Sequence, residues 1–273
     1  VVVLIDEYDK PLLQAIGNEA LQEEFRNALK AFYGVLKSAD DDLRFTLLTG
    51  VTKFGKVSVF SDLNNLNDIT TDVRYHDVCG ITEEELHRDL DNEVAELAVQ
   101  NNQLKDEAYR MLRKRYDGYH FCGHSQGIYN PFSVLNTLEK RVYRDYWFGT
   151  GTPTYLVELL KKTDFRLEDL TGVEVSQDDL DSIHWADLGP IPVLFQSGYL
   201  TIKDVNSEFG LYVLDYPNEE VEEGFVKFLL PYYTRCQTSR QGSLLRDFVV
   251  SLREGNPDRF MLLIQSLMAD TPY

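Results

Sequence analysis

Two short apolar runs bracket a long amphipathic stretch at the start of the chain, and this arrangement limits the fold more than any other feature. Val1 to Ile5 (VVVLI) is continuous and rich in β-branched residues, as expected of a parallel strand buried on both faces. Leu43 to Thr49 (LRFTLLT) reads as a second strand. Between them Leu21, Phe25, Leu29, Phe32 and Leu36 recur at spacings of three to four. That period puts them on one face of a helix, and Asn18 stands where a helix cap belongs. Strand, helix and strand in this order form the unit of a parallel α/β sheet.

Beyond about Asp72 the pattern turns helical. Thr82-Glu83-Glu84-Glu85 has the form of a capping box, with Leu86, Leu90, Val94 and Leu97 as the apolar stripe behind it. Leu104 to Arg115 reads as another helix, and Tyr116 to Tyr129 as a loop rich in glycine and aromatic residues. Asn130-Pro131 has the order of an N-cap and a first-turn proline, opening a helix through Leu138. A further helix is expected after Pro153. Val193 to Ser197 is predicted helical, ending at Gly198, and Tyr199 to Lys203 with Leu211 to Leu214 forms a short hairpin. Helix followed by hairpin is the layout of a winged helix. Val221 to Tyr233, Ser243 to Arg253 and Pro257 to Met268 complete the chain as helices.

The 273 residues suit one large domain or two to three modest ones, and 43% apolar content supports a true core. A formal charge of −18 and a pI near 4.6 oppose broad non-specific binding to DNA or membranes. They leave room for a local basic groove. Three widely spaced cysteines, Cys79, Cys122 and Cys236, fit a reduced, cytoplasmic protein. No apolar run approaches the roughly 20 residues of a membrane span, and no signal peptide is visible.

Asp6-Glu7 follows the first strand directly. Carboxylates at the C-terminal end of a buried strand are costly without a task, and a parallel sheet places its ligand site there. Four or more strand formers followed by Asp-Glu is the Walker B pattern of P-loop NTPases. In that reading Asp6 holds Mg²⁺, usually through water, and Glu7 polarises the attacking water. The plainer alternative is a strand end whose acids cap the next helix. Thr49, at the end of the second strand, stands at the sensor-1 position, where a polar group faces the γ-phosphate; an ordinary strand-terminal threonine fits equally.

Gly50 to Val57 (GVTKFGKV) fits GxxxxGK, yet Val57 stands where the phosphate loop needs Ser or Thr for Mg²⁺. The residues after it start a helix poorly, and the order relative to Asp6-Glu7 is reversed. This stretch is therefore not read as a Walker A loop. Walker B without Walker A predicts a fragment that starts downstream of the phosphate loop. Lys53 and Lys56 could still meet a phosphate; a solvated loop is the alternative.

Other clusters have bland readings. His120-Phe121-Cys122-Gly123-His124 holds three soft ligands in five residues, without a fourth or the usual spacing of a closed zinc site. Tyr116-Asp117-Gly118-Tyr119 reads as an aromatic-anchored turn. Arg74 is conceivable as a trans-acting arginine finger. The wing of the hairpin carries Asp204, Glu208 and Asp215 against Lys203, which favours protein contact or internal packing over DNA. The acids from Glu219 to Glu223 suit a helix N-terminus.

VVVLIDEYDKPL, FTLLTGVTKFGKVSVFSDLNNLNDIT, Cys79-Gly80-Ile81-Thr82 with Glu83 to Glu85, YDGYHF, IYNPFSVL and LFQSGYLTIK appear in this order. Together they resemble the AAA-ATPase-like family of Bacteroidetes and related bacteria, from residue 1 to about 220. The resemblance implies an ASCE-type P-loop ATPase using ATP and Mg²⁺. It implies a Walker A of the form RPRRFGKS upstream and a nuclease-like domain of the PD-(D/E)XK type after Tyr273. Carried over, Asp6 is the metal residue, Glu7 and Thr49 are catalytic, and Lys53 meets the nucleotide. The fold class expected is α/β, then mainly α: a partial P-loop parallel sheet, then a helical region with a winged-helix-like segment. Residues 1–75 would be the ATPase part, 76–155 a helical segment, and 156–273 the winged-helix-like and C-terminal helical region. The function implied is ATP hydrolysis driving a conformational change, with any nucleic acid or protein partner engaged through a domain outside this chain and with no membrane partner. The alternative is a non-catalytic protein-binding module on a degenerate NTPase scaffold.

Overall fold

The computed structural model describes residues 1–15, 18–52, 66–123, 125–147, 156, 159–160, 170–181, 190–233, 246–248, 250–251 and 253–269. At the N-terminus, strand β1 (Val2–Ile5) leads through α1 (Lys10–Gln14) and α2 (Glu19–Ser38) to β2 (Phe45–Leu48). The strands pair in parallel, Val2 opposite Phe45 and Ile5 opposite Leu48, as the strand–helix–strand pattern predicts. Asn18 caps α2, its Oδ1 accepting the Leu21 N–H at 3.1 Å, which satisfies one of the orphan donors of the first turn.

Two expectations are corrected here. The sheet is not buried on both faces: Val2, Leu4, Phe45 and Leu47 are exposed, Leu4 by 68%. The register explains why. Val2 faces Phe45 and Leu4 faces Leu47, so all four share one face. The opposite face, with Ile5 and Leu48, packs on Leu12, Leu13, Phe25, Leu29, Tyr33 and Leu36 of α1 and α2. Phe32 is also not on the core face of α2. It is 64% exposed, and Tyr33, 3% exposed, takes the inward position. Spacings of four, four and three from Phe25 through Leu29 and Tyr33 to Leu36 trace one helical stripe. Residue 32 lies about 100° around the helix from residue 33.

A second core gathers helices α3 (Glu83–Asp89), α4 (Asp91–Gln100), α5 (Lys105–Tyr116) and α6 (Pro131–Lys140). The Thr82 capping box forms: Thr82 Oγ1 accepts the Glu85 N–H at 3.1 Å, and Glu85 returns the contact to Thr82 N at 2.9 Å. The stripe behind it breaks at Leu90, where φ is −123°, so one expected helix is two. Leu86, Val94 and Leu97 still share the core. Asn130 caps α6, accepting Ser133 N–H at 3.2 Å, with Pro131 in the first turn.

The third core holds β3 (Val173–Val175), α7 (Gln177–Asp181), α8 (Pro190–Gln196), β4 (Thr201–Asn206), β5 (Leu211–Asp215) and α9 (Glu219–Tyr233). The strands lie in the order β3-β5-β4, all antiparallel. A last helix, α10, spans Pro257–Ala269. The helix expected after Pro153 falls largely outside the described residues; of the one expected from Ser243 to Arg253, the described residues 246–248, 250–251 and 253 are helical. Taken together, the described chain is a mixed α/β structure with a small parallel sheet and mostly helices. None of its described helices is long and apolar enough to cross a membrane.

Candidate functional site

The parallel pairing of β1 and β2 carries Asp6 and Thr49 to the same end of the sheet. The ladder runs one step past the strands, with Thr49 N–H donating to Ile5 O and Tyr8 N–H to Thr49 O, each at 2.9 Å. Asp6 and Thr49 thus stand side by side, and the Thr49 hydroxyl donates to Asp6 Oδ1 at 2.5 Å. This is the short contact of a hydroxyl on a carboxylate. Both residues are exposed, so the oxygens are accessible at the C-terminal mouth of the sheet, where parallel sheets bind ligands.

Glu7 leaves this line. Its φ is +54°, a left-handed conformation that L-residues other than Gly, Asn and Asp seldom adopt. Its Oε2 pairs with Lys10 Nζ at 2.5 Å. The neighbouring carboxylate holds the Lys10 ammonium above its ordinary pKa. The pair is open to solvent on both sides, so it is weakly held and leaves Glu7 able to turn elsewhere.

Neither Asp6 nor Glu7 is the N-cap residue of α1. Asp9 occupies the N-cap position of α1 and makes no side-chain cap hydrogen bond. It is instead fully buried and turned toward the loop after Thr49. Val51 N–H and Thr52 N–H donate to it at 3.1 and 2.6 Å, and the Thr52 hydroxyl at 2.7 Å. Tyr8 adds a bond from its hydroxyl to Thr52 O at 2.7 Å. Gly50 lies under this contact: a Cβ there would sit 2.5 Å from Tyr8 Cε1 and 2.7 Å from Asp9 Oδ1. Asp9, Tyr8, Gly50 and Thr52 are the residues that sequence reasoning missed. The available signal was the second aspartate of D-E-Y-D, three residues past the first.

Lys53, expected at the nucleotide, lies outside the described residues, as does the rest of the GxxxxGK stretch from Lys53 onward. Arg74 is held by Asp72, with Nη2 at 2.6 Å from Oδ2, and this fork lowers the Asp72 pKa to about 2. His120 Nδ1 lies 2.9 Å from Ser125 O, and Cys122 is buried; His124 is outside the described residues. Among the described residues no group of three His, Cys, Asp or Glu side chains is placed to hold a metal. A Mg²⁺ ion held mainly by water and phosphate needs only one or two protein carboxylates. The hard oxygens of Asp6 and Thr49 fit that demand.

Residues 1–60, which hold Asp6, Glu7, Asp9 and Thr49, match the family model described as a predicted AAA-ATPase. This segment is thus similar to the AAA-ATPase-like family. An uncharacterized protein in the vnfD 5′ region of Azotobacter chroococcum mcd 1 is 40% identical over 256 residues, 92% of this chain and 47% of the relative. The chain thus spans about half the length of that curated relative. No solved structure matches it.

Proposed function

We propose that this chain is part of an ATP-hydrolysing AAA-like ATPase in which Asp6, Glu7 and Thr49 form the metal and catalytic edge of the site. The observation that carries the reading is the Asp6–Thr49 contact, 2.5 Å at the mouth of two parallel strands, in a segment that matches an ATPase family. Asp6 would hold Mg²⁺ through water, and bound Mg²⁺ would supply charge neutralisation for the phosphates. Thr49 orients the Asp6 carboxylate by donating to one of its oxygens, and its own oxygen remains able to accept. Glu7, once it leaves Lys10, would accept a proton from the attacking water. Lys53 would meet the nucleotide. The reading keeps the division at 1–75, 76–155 and 156–273. It includes hydrolysis driving a conformational change, linkage to a nuclease-like domain, and a cytoplasmic setting.

The test is Glu7→Gln in the full-length protein. ATP binding should persist, and turnover should fall at least roughly 100-fold, the scale of lost general-base help. Unchanged hydrolysis would remove the proposal.

A second reading is a non-catalytic protein-binding module, and one observation favours it. The order β3, α7, α8, β4, β5, with the sheet order β3-β5-β4, supports a winged helix. The helix that would enter a DNA groove, α8, reads PIPVLFQ and carries no basic residue. Phosphate contacts supply most non-specific DNA affinity, so this helix suits a protein partner. Measurable ATP turnover by the full-length protein would exclude the non-catalytic form.

A further inference from the structure

The ATPase reading leaves Asp9 without a task, yet Asp9 is the most completely enclosed acid of the opening segment. It is 0% exposed. A buried carboxylate is costly unless donors surround it, and here three do: Val51 N–H, Thr52 N–H and the Thr52 hydroxyl. All three come from residues more than forty positions away, immediately after Thr49. Asp9 itself is two residues past Glu7. The contact therefore joins the turn that aims Glu7 to the loop that leaves Thr49. Tyr8 reinforces it from both sides, its N–H on Thr49 O and its hydroxyl on Thr52 O. Gly50 lets the two segments approach, since any Cβ would strike Tyr8 and Asp9.

We infer that Asp9 is a positioning residue for the candidate site. Its carboxylate fixes the path of residues 50–52, and so holds the Thr49 hydroxyl on Asp6 while Glu7 is kept on the neighbouring turn. Asp9 has no contact with the reacting atoms in this role. The inference rests on the ATPase reading for its catalytic consequence; the clamp itself does not.

Two readouts on Asp9→Asn in the full-length protein test it. Asparagine keeps the shape but loses the charge and turns donors toward donors. Without nucleotide, amide hydrogen exchange at Val51 and Thr52 should quicken by about 10-fold or more, as expected for loss of a charge-assisted bond. With ATP, kcat should fall by about 10-fold or more while KM moves less than about 3-fold, the pattern of a lost transition-state interaction. A purely structural role would lower the melting temperature and leave kcat per folded molecule unchanged. Should Asp9→Asn fail to fold, Thr52→Val removes the hydroxyl alone. It should speed exchange at the Thr52 amide and lower kcat by roughly 3-fold; no change in either overturns the inference. Glu7→Gln is measured beside them. If Glu7→Gln abolishes turnover and Asp9→Asn spares kcat, the role of Asp9 is wrong and the ATPase reading stands. If Glu7→Gln keeps full turnover, the ATPase reading falls, and with it Asp9's catalytic role. Unchanged exchange at both amides in Asp9→Asn overturns the clamp whatever the kinetics show.

Discussion

Thr49 and Asp6 meet because residues one step past paired parallel strands must meet, and their contact is short because one partner is a carboxylate. Thr49→Val keeps the shape and removes the donor. Turnover in the full-length protein should fall roughly 10-fold or more, as when one preorganised polar contact is deleted, with nucleotide affinity nearly unchanged. Steady-state kinetics with a parallel binding isotherm would check this. Gly50 has a different reason to be what it is. Its Cβ position lies within 3 Å of both Tyr8 and Asp9, so Gly50→Ala should destabilise by about 1–3 kcal/mol through overpacking, measurable by denaturant unfolding. Asp6 and Glu7 were legible because a strand-terminal Asp-Glu is a pattern local in sequence. Asp9 was not. An acid before Lys10-Pro11 reads as a helix cap, and its true donors, Val51 and Thr52, are named only by the fold.

Elements whose determinants are local were read best. The Thr82–Glu85 capping box and the Asn18 and Asn130 caps each depend on residues three apart, and each formed. Burial was read less well, because it depends on what packs where. The VVVLI run gives no hint that Leu4 would be exposed while Ile5 is covered by α1 and α2. Leu90 matches its stripe and still ends a helix. The start of α9 carries a further case. Glu219 to Glu223 suggested a solvated, dipole-friendly terminus, yet Glu220 is fully buried, and its Oε1 accepts Trp147 N–H at 2.9 Å. Burial pushes its carboxyl above the ordinary range, with Asp145 adding to the effect. The folded chain therefore holds this proton more tightly than the unfolded chain. The stability gained is complete below the unfolded carboxylate pKa and is lost as pH rises through the raised one. Glu220→Gln keeps an oxygen for Trp147 and removes the titration. Its melting temperature should exceed that of the parent at about pH 8 and converge with it near pH 4. A constant difference across that range would contradict the assignment.

Across the whole molecule, the helical core and the hairpin core are tied by polar contacts on several elements. His120 N–H donates to Thr201 Oγ1 at 2.6 Å, and Asn218 Nδ2 to Asp117 O at 2.9 Å. Asp145 accepts from Arg115 of α5 at 2.7 Å and from Lys227 of α9 at 3.0 Å. Arg115 is only 15% exposed, so removing its acceptor leaves a largely enclosed guanidinium short of a partner. Asp145→Ala should lower stability by about 2 kcal/mol, the scale of a hydrogen bond to a charged group. The two cores should still unfold in one transition by near- and far-UV dichroism. The N-terminal sheet and its two acids carry the functional claim, and the metal tests that claim most directly. The full-length protein is crystallised with a non-hydrolysable ATP analogue and Mn²⁺ in place of Mg²⁺, and the ion is located by its anomalous signal. The ion should lie at the mouth of β1 and β2, about 4 Å from the Asp6 carboxylate with one water between them. An ion bound with the nucleotide away from Asp6 and Thr49 would contradict it.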